Sequence, residues 1–232
     1  MTRKTKSKKP KPGRPQSSDS EDARELLLRA AVPLFAKKGF DGTSVKDIAD
    51  RAGVNVSLVS YHFNGKEGLY KSCLEQFGKN RLAATERLLQ PPQTLEECRL
   101  RLEMFIDDMM VWFEEEPDLC AIVQREADMG FQIARDVFES TFLKVFMTFM
   151  AFIKTGQTKG FLRRDVDPEI ATRFYFIGLT HMIQKDDLAK RTFGVSIQDP
   201  SYRKKLKVQV CQIFFEGLGQ ITGAKNARGV KK

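Results

Sequence analysis

The chain has 232 residues, 41% of them hydrophobic, with 18 Phe, four Tyr, one Trp and a formal net charge of +9. That length and apolar content can bury a sizeable core as one or two domains, and no run of about 18 uncharged apolar residues is present to span a bilayer. The charged N-terminus lacks the apolar segment of a secretory signal, and Cys73, Cys98, Cys120 and Cys211 are widely spaced with no CxxC pair, a pattern expected of a reduced, cytoplasmic protein.

The charge is unevenly placed. Residues 1–18 hold seven bases (Arg3 to Arg14) and no acid, and residues 224–232 hold Lys225, Arg228, Lys231 and Lys232, which leaves −2 on residues 19–223. A basic arm of this kind suits a polyanion, most often nucleic acid, or serves as a solubilising tail. It has no apolar face or lipidation motif for a membrane surface. Rich in Lys, Pro and Ser, it is expected to be disordered. Within it, "KPGRPQ" suggests Arg14 as a minor-groove residue; a plain linker fits those residues equally.

The first helix is expected from about residue 19, with Leu27, Ala31, Leu34 and Phe35 at helical spacing, acids at its start and Lys37 and Lys38 at its end, as the helix dipole favours. Gly39 is a fitting stop, and Pro33 predicts a kink. Thr43 or Ser44 caps a second helix whose buried face is Val45, Ile48 and Ala49. Gly53 ends it, and a short third helix runs from Asn55 to about His62. A longer helix covers about 66–90, stopped by Pro91 and Pro92. A capping box at Thr94–Glu97 opens the next, to Glu116, followed by helices at about 117–128 and 131–156. Asp167-Pro168 and Asp199-Pro200 open the last two, 168–184 and 200–222, each as an N-cap followed by Pro. With no alternating strand pattern, phosphate loop or internal repeat, this is an all-α protein of about nine helices.

The second and third helices form a helix-turn-helix candidate. Ala49 is small where the helices cross, Gly53 supplies the turn, Val59 plugs the angle, and Ile48 and Ala52 complete the wedge. With Val59 and Phe63 inward, the third helix presents Asn55, Val56, Ser57, Ser60 and Tyr61, a face without charge. Such groups can approach base edges, where an acid would be repelled by phosphates; packing on another domain is the alternative for such a face.

Residues 24–70, through "LFAKKGFDGTSVKDIA", "AGV" and the "YHF…K" ending, resemble the DNA-binding region of the tetracycline-repressor (TetR) family of transcriptional regulators. The resemblance implies a two-fold homodimer on a pseudo-palindromic double-stranded operator, a C-terminal helical ligand domain and no enzymatic activity. By position, it puts Thr43 and Ser44 on phosphate at the start of the second helix, with Lys46 beside them. Val56, Ser57, Ser60, Tyr61 and His62 fall in or beside the major groove, and Lys66 on phosphate at the start of the fourth helix. Ser60 departs from the family, where an aromatic residue is common, so base preference does not carry over. The expected organisation is a basic arm (1–18), a DNA-binding domain (19–66), a ligand-binding and dimerisation domain (67–223) and a basic tail (224–232). Residues 19–66 hold seven acids and seven bases, so the arm is expected to supply much of the salt-sensitive attraction.

Phe138, Phe142, Phe146 and Phe149 form a stripe on a helix apolar nearly all round, which predicts burial. With Met104, Phe105, Met109, Trp112 and Phe113 of the fifth helix, these adaptable side chains suit a pocket for an apolar or amphipathic effector; simple core is the alternative for any one of them. Phe174 and His181 are added from the next helix, His181 being expected to be buried there. The resemblance implies that Ile177, Gly178, Val210, Ile213, Phe214, Gly217, Leu218 and Ile221 pair with their copies in a dimer interface. Two His and no carboxylate cluster exclude a metal site, and no cofactor or catalytic set is expected. The reading is a repressor released from its operator by a small ligand, or alternatively a DNA-bound regulator or activator controlled by a protein partner.

Overall fold

The computed structural model describes residues 17–218. Arg14 and Ile221 lie outside the described residues, as does the side chain of Leu218. Among the described residues there are helices and no β-strand, and they divide into two compact units, one ending at Ser72 and the other starting at Cys73.

The first unit holds α1 (Ser17–Lys38), α2 (Val45–Ala52), α3 (Ser57–Phe63) and the start of α4 (Lys66–Leu88). Its core is the apolar face read from the sequence: Leu27, Ala31 and Phe35 of α1, Ile48 and Ala49 of α2, and Val59 and Phe63 of α3 are buried, with Leu69 and Tyr70 of α4. Tyr70 meets Phe35 edge-on at 4.9 Å and Phe40 at 5.2 Å. α1 continues through Pro33 to Lys38. Gly53 closes α2 in the left-handed conformation (φ 69°), sending backbone N–H groups back to Ala49 and Asp50, the turn that a residue without Cβ enters at no steric cost.

The second unit holds the rest of α4, then α5 (Leu95–Glu115), α6 (Pro117–Asp128), α7 (Arg135–Val137), a π-helical turn (Phe138–Phe142), α8 (Leu143–Thr158), α9 (Pro168–Gln184), α10 (Asp186–Phe193) and α11 (Pro200–Leu218). One half of the capping box expected before α5 forms, with Thr94 Oγ1 accepting from Glu97 N at 3.0 Å, while the Glu97 carboxylate accepts from Gln93 N, one residue before the cap, at 2.6 Å. Asp167 caps α9 by accepting from Glu169 N and Ile170 N. The core joins Leu102, Ile106 and Met110 of α5 to Phe149, Phe152 and Ile153 of α8, Leu179 and Ile183 of α9, and Phe214 and Phe215 of α11.

Two elements differ from expectation. The helix expected from residue 131 begins at Arg135 and carries the π turn, where Thr141 is buried and donates to Val137 O at 2.6 Å. Gly78 of α4 makes room for it, since a Cβ there would lie 2.4 Å from Thr141 Oγ1. The other difference is α10, absent from the sequence reading. It follows α9 after Lys185 alone, with no Pro or Gly break, and buries none of its residues. Gly194 closes it in the left-handed conformation, but its eight residues are too few to show helical periodicity.

Candidate nucleic-acid interface and ligand cavity

α3 is held from behind. Val59 and Phe63 anchor it, and Asn55 caps its start, with Oδ1 accepting from Ser57 N at 2.9 Å and Ser57 Oγ at 2.7 Å. That leaves Val56, Ser57, Ser60 and Tyr61 exposed on the opposite side, Tyr61 at 73%. No formal charge stands on this face. Ser44, exposed, caps α2 by accepting from Asp47 N at 3.0 Å. Lys46 is exposed beside it. The Lys38–Asp47 ion pair at 3.0 Å ties the end of α1 to α2, and hydrogen bonding to Lys38 holds the Asp47 carboxyl below its ordinary value.

Three expected DNA contacts are committed elsewhere. Thr43 is buried, its Oγ1 donating to Gly39 O at 2.7 Å and Leu34 O at 3.2 Å, so it terminates α1 rather than meeting phosphate. Lys66 turns inward, donating to Phe40 O at 2.9 Å and Thr43 O at 3.1 Å over the Phe40 ring at 4.2 Å. A chain end that leaves carbonyls unbonded attracts an ammonium as phosphate does. His62 is half-buried with Nε2 directed away from solvent. Its place in the sequence, one residue before the buried Phe63, puts it at the rim of the helix rather than on the open face.

The sequence reading passed over Gly68. A Cβ there would fall 1.8 Å from Phe63 O and 2.9 Å from Phe63 C, so the first turn of α4 rests on the last carbonyl of α3. The contact is with backbone and cannot be relieved by a rotamer. Gly68→Ala is expected to cost at least ~1–3 kcal/mol, the range for overpacking, lowering the thermal midpoint by several degrees and weakening DNA binding by tilting α3.

In the second unit a cavity of about 500 Å³ lies among α4, α5, α6, the π turn, α8 and α9. Phe105, Met109, Trp112, Phe113, Phe138, Phe142 and Phe146 line it, with Val123, Phe131 and Phe176. Its size and aromatic lining fall in the range of small-molecule sites. Phe131 has a left-handed backbone (φ 53°) and stacks on Phe138 at 4.0 Å. For an aromatic residue that conformation costs about 1–3 kcal/mol, and it places the ring at the cavity next to the π turn, a feature common at functional sites.

Four pocket expectations are corrected. Phe149 is buried in the core rather than in the cavity wall. Met104 is exposed, on an outer stripe of α5 with Leu100 and Val111. Phe174 and His181 are exposed too. On α9 the buried residues are Ala171, Thr172, Leu179 and Ile183, and helical phase then turns the stripe of Phe174, Ile177, Gly178 and His181 outward, with Ile177 also at the edge of the cavity. Met147 of α8 is likewise exposed, so that helix is not buried all round.

That outer stripe, with Ile170, leaves large apolar side chains open, Phe174 at 70%. Ile213 of α11 is exposed as well, and Tyr175 Oη donates to Ile213 O at 2.9 Å, joining the two helices. The other expected interface residues divide. Phe214 is buried in the chain's own core and Val210 packs against it. Gly217 gives room to Tyr175 of the same chain, whose Oη a Cβ would meet at 2.9 Å.

The described cysteines are buried. Burial pushes the Cys98 thiol up to about 11 and those of Cys120 and Cys211 up to about 12, so they stay protonated and unreactive at neutral pH. Below pH 9, their ordinary value, folded and unfolded states both hold these protons. Above it the unfolded chain loses them first, so stability is expected to fall progressively from about pH 9 to about 12, with the slope set by the protons the native state retains. Urea denaturation across that range measures it, and Cys211→Ala is expected to flatten the fall.

Among the described residues no helix is long and apolar enough to cross a membrane, and no group of three His, Cys, Asp or Glu could hold a metal. Residues 27–73 match the family model described as bacterial regulatory proteins, tetR family. The chain is 30% identical over 136 residues to the "Probable HTH-type transcriptional regulator YttP" of Bacillus subtilis (strain 168), covering 58% of this chain and 64%, just under two thirds, of that protein. It is 29% identical over 168 residues to the HTH-type transcriptional repressor KstR2 of Rhodococcus jostii (strain RHA1), covering 68% of this chain and 76% of that one. Of solved structures, the ketosteroid transcriptional regulator KstR2 of Mycobacterium tuberculosis shares the fold at a TM-score of 0.63 and 22% identity, over 85% of this chain and 95% of that one. The fatty acid degradation regulator FadR from Bacillus halodurans does so at 0.66 and 17%, over 84% and 95%.

Proposed function

Because the chain belongs to the tetR family of bacterial regulatory proteins, we propose that it is a repressor that binds a pseudo-palindromic operator as a homodimer and leaves it when a small apolar or amphipathic molecule fills the cavity. One observation carries the DNA-binding part: α3 is anchored through Val59 and Phe63 and opens an uncharged face of Val56, Ser57, Ser60 and Tyr61. A helix entering the major groove reads base edges with such side chains. The exposed α9 stripe supports pairing with a second copy, and a dimeric reader of this kind binds half-sites about one DNA turn apart. An effector shifts this equilibrium only by binding one state better than the other, and the aromatic cavity supplies a place for that difference. Nothing in this mechanism requires bond-making chemistry.

Selection of duplexes from a random pool by the full chain tests the reading. An enriched inverted repeat with half-sites about one helical turn apart is expected; a pool left unenriched would contradict it. Placing that repeat beside a promoter in a purified transcription reaction then reports the sign, with a fall expected and a rise pointing to an activator.

A further inference from the structure

The cavity wall is mostly apolar, and to it α4 contributes Arg81 and α5 contributes Trp112. Arg81 Nε and Trp112 Nε1 are both buried and meet no hydrogen-bond partner, and both residues line the cavity. Several other polar groups of the lining are engaged: Thr85 Oγ1 donates to Arg81 O, Thr180 Oγ1 to Phe176 O, Gln124 Nε2 to Asp128 Oδ1, and Arg173 pairs with Glu169 at 3.6 Å. The Arg81 guanidinium is held over the Trp112 ring at 5.5 Å and near the Phe77 ring at 5.9 Å. Its contact with Asp108 is long, Nη1 to Oδ2 at 3.4 Å. Burial raises the Asp108 carboxyl, with Arg81 opposing. A buried N–H without an acceptor is costly, and an indole N–H can only donate.

We infer that this part of the cavity wall is a subsite for an oxygen acceptor, and that the effector is an apolar molecule carrying a carbonyl or carboxylate oxygen, which takes hydrogen bonds from Trp112 Nε1 and Arg81 Nε while its apolar body lies against Phe138, Phe142, Phe146 and Phe176. The inference rests on the cavity being the effector site proposed above. The aromatic walls give affinity with little direction; the two donors set which end of the ligand enters first. A neutral carbonyl leaves Asp108 in place, whereas a carboxylate competes with it for Arg81.

Trp112 is the chain's one tryptophan, so its indole N–H gives a single resonance in the full chain labelled with ¹⁵N-tryptophan. The probes are three molecules of one shape: 3-cyclohexylpropanoate, 4-cyclohexylbutan-2-one and butylcyclohexane. The indole proton is expected to move downfield, as for a new hydrogen bond, with the ketone, the carboxylate or both, and not with the hydrocarbon. The arm that responds more strongly tells a neutral acceptor from a charged one. Arg81→Met, which keeps the unbranched stem and puts a methyl where Nε stood, is expected to weaken the oxygenated probes about 10-fold or more, the loss for a hydrogen bond to a charged group, and to leave butylcyclohexane unchanged. An indole resonance that moves equally with all three probes, that moves with none, or an Arg81→Met chain with unaltered preference would overturn the subsite. The measurement uses no DNA. A chain that selects no duplex yet shows the oxygen-dependent shift would sink the repressor reading and keep the subsite, and the converse pattern would do the reverse.

Discussion

Replacing Ser60 by Glu is expected to abolish specific DNA binding while leaving the fold intact. Ser60 is exposed on α3, one residue from the buried Val59. A carboxylate there loses its water on entering the groove and faces phosphates and base acceptors, with only cytosine or adenine amino groups to receive it. A mispaired base contact costs about 1–3 kcal/mol per half-site. Two copies in a dimer double that, lowering affinity for the selected duplex roughly 30-fold to 10⁴-fold. An exposed substitution of this kind usually shifts stability by no more than about 0.5 kcal/mol. Fluorescence anisotropy on the selected duplex, beside a thermal melt of the variant, separates a lost contact from a lost fold. Ser60→Glu binding as well as the parent would place the reading face elsewhere.

Phe174→Glu is expected to convert a dimer into a monomer. Phe174 stands on the open stripe of α9 with Ile170 and Ile177, and its ring touches Tyr175 of its own chain at 5.4 Å. Burying a Phe contributes about 1.5–3 kcal/mol, and a two-fold contact buries it twice. Its loss alone raises the dissociation constant about 10²-fold to 10⁴-fold, and a carboxylate at the same place adds its desolvation cost. Sedimentation velocity is expected to show the parent at twice the 26.5 kDa chain mass and the variant at that mass, with binding to a full inverted repeat weakened in parallel. His181→Glu, two helical turns along the same stripe, is expected to act in the same direction, more weakly because the residue it replaces is already polar.

The first unit was legible because its signals agree. Gly39 and Gly53 punctuate it, the apolar residues of α1 to α3 keep helical spacing, and most of the residues that spacing names are buried, Leu34 and Val45 being half-buried. The uncharged face of α3 could be read by exclusion once Val59 and Phe63 were taken inward. Thr43 and Lys66 could not: both are polar, near helix starts, and suited to phosphate, and only the folded turn shows the carbonyls of Gly39, Phe40 and Thr43 in front of them. Gly68 gave no pattern because its role depends on how closely α4 crosses the end of α3.

In the second unit the sequence marked which helices are apolar but not which side of each faces in. α9 carries Phe174 and Ile177 on one side and Leu179 and Ile183 on the other. Hydropathy has the same value for a residue covered by its own core and for one left open for another molecule. The Phe stripe of the expected long helix was read well where the π turn keeps Phe138 and Phe142 at the cavity, and missed at Phe149, where the return to α-helical pitch turns the ring into the core. Arg81 was not singled out at all. One Arg among many has no signature until its Nε is seen buried beside the indole of Trp112.

A chemical-protection footprint of the full chain on its selected duplex tests most directly whether α3 reads the major groove in two copies. The predicted result is protection of guanine N7 positions in two half-sites on one face of the duplex, centred about 34–36 Å apart, and its disappearance with Ser60→Glu. Protection confined to the minor groove, or to a single half-site, would contradict it.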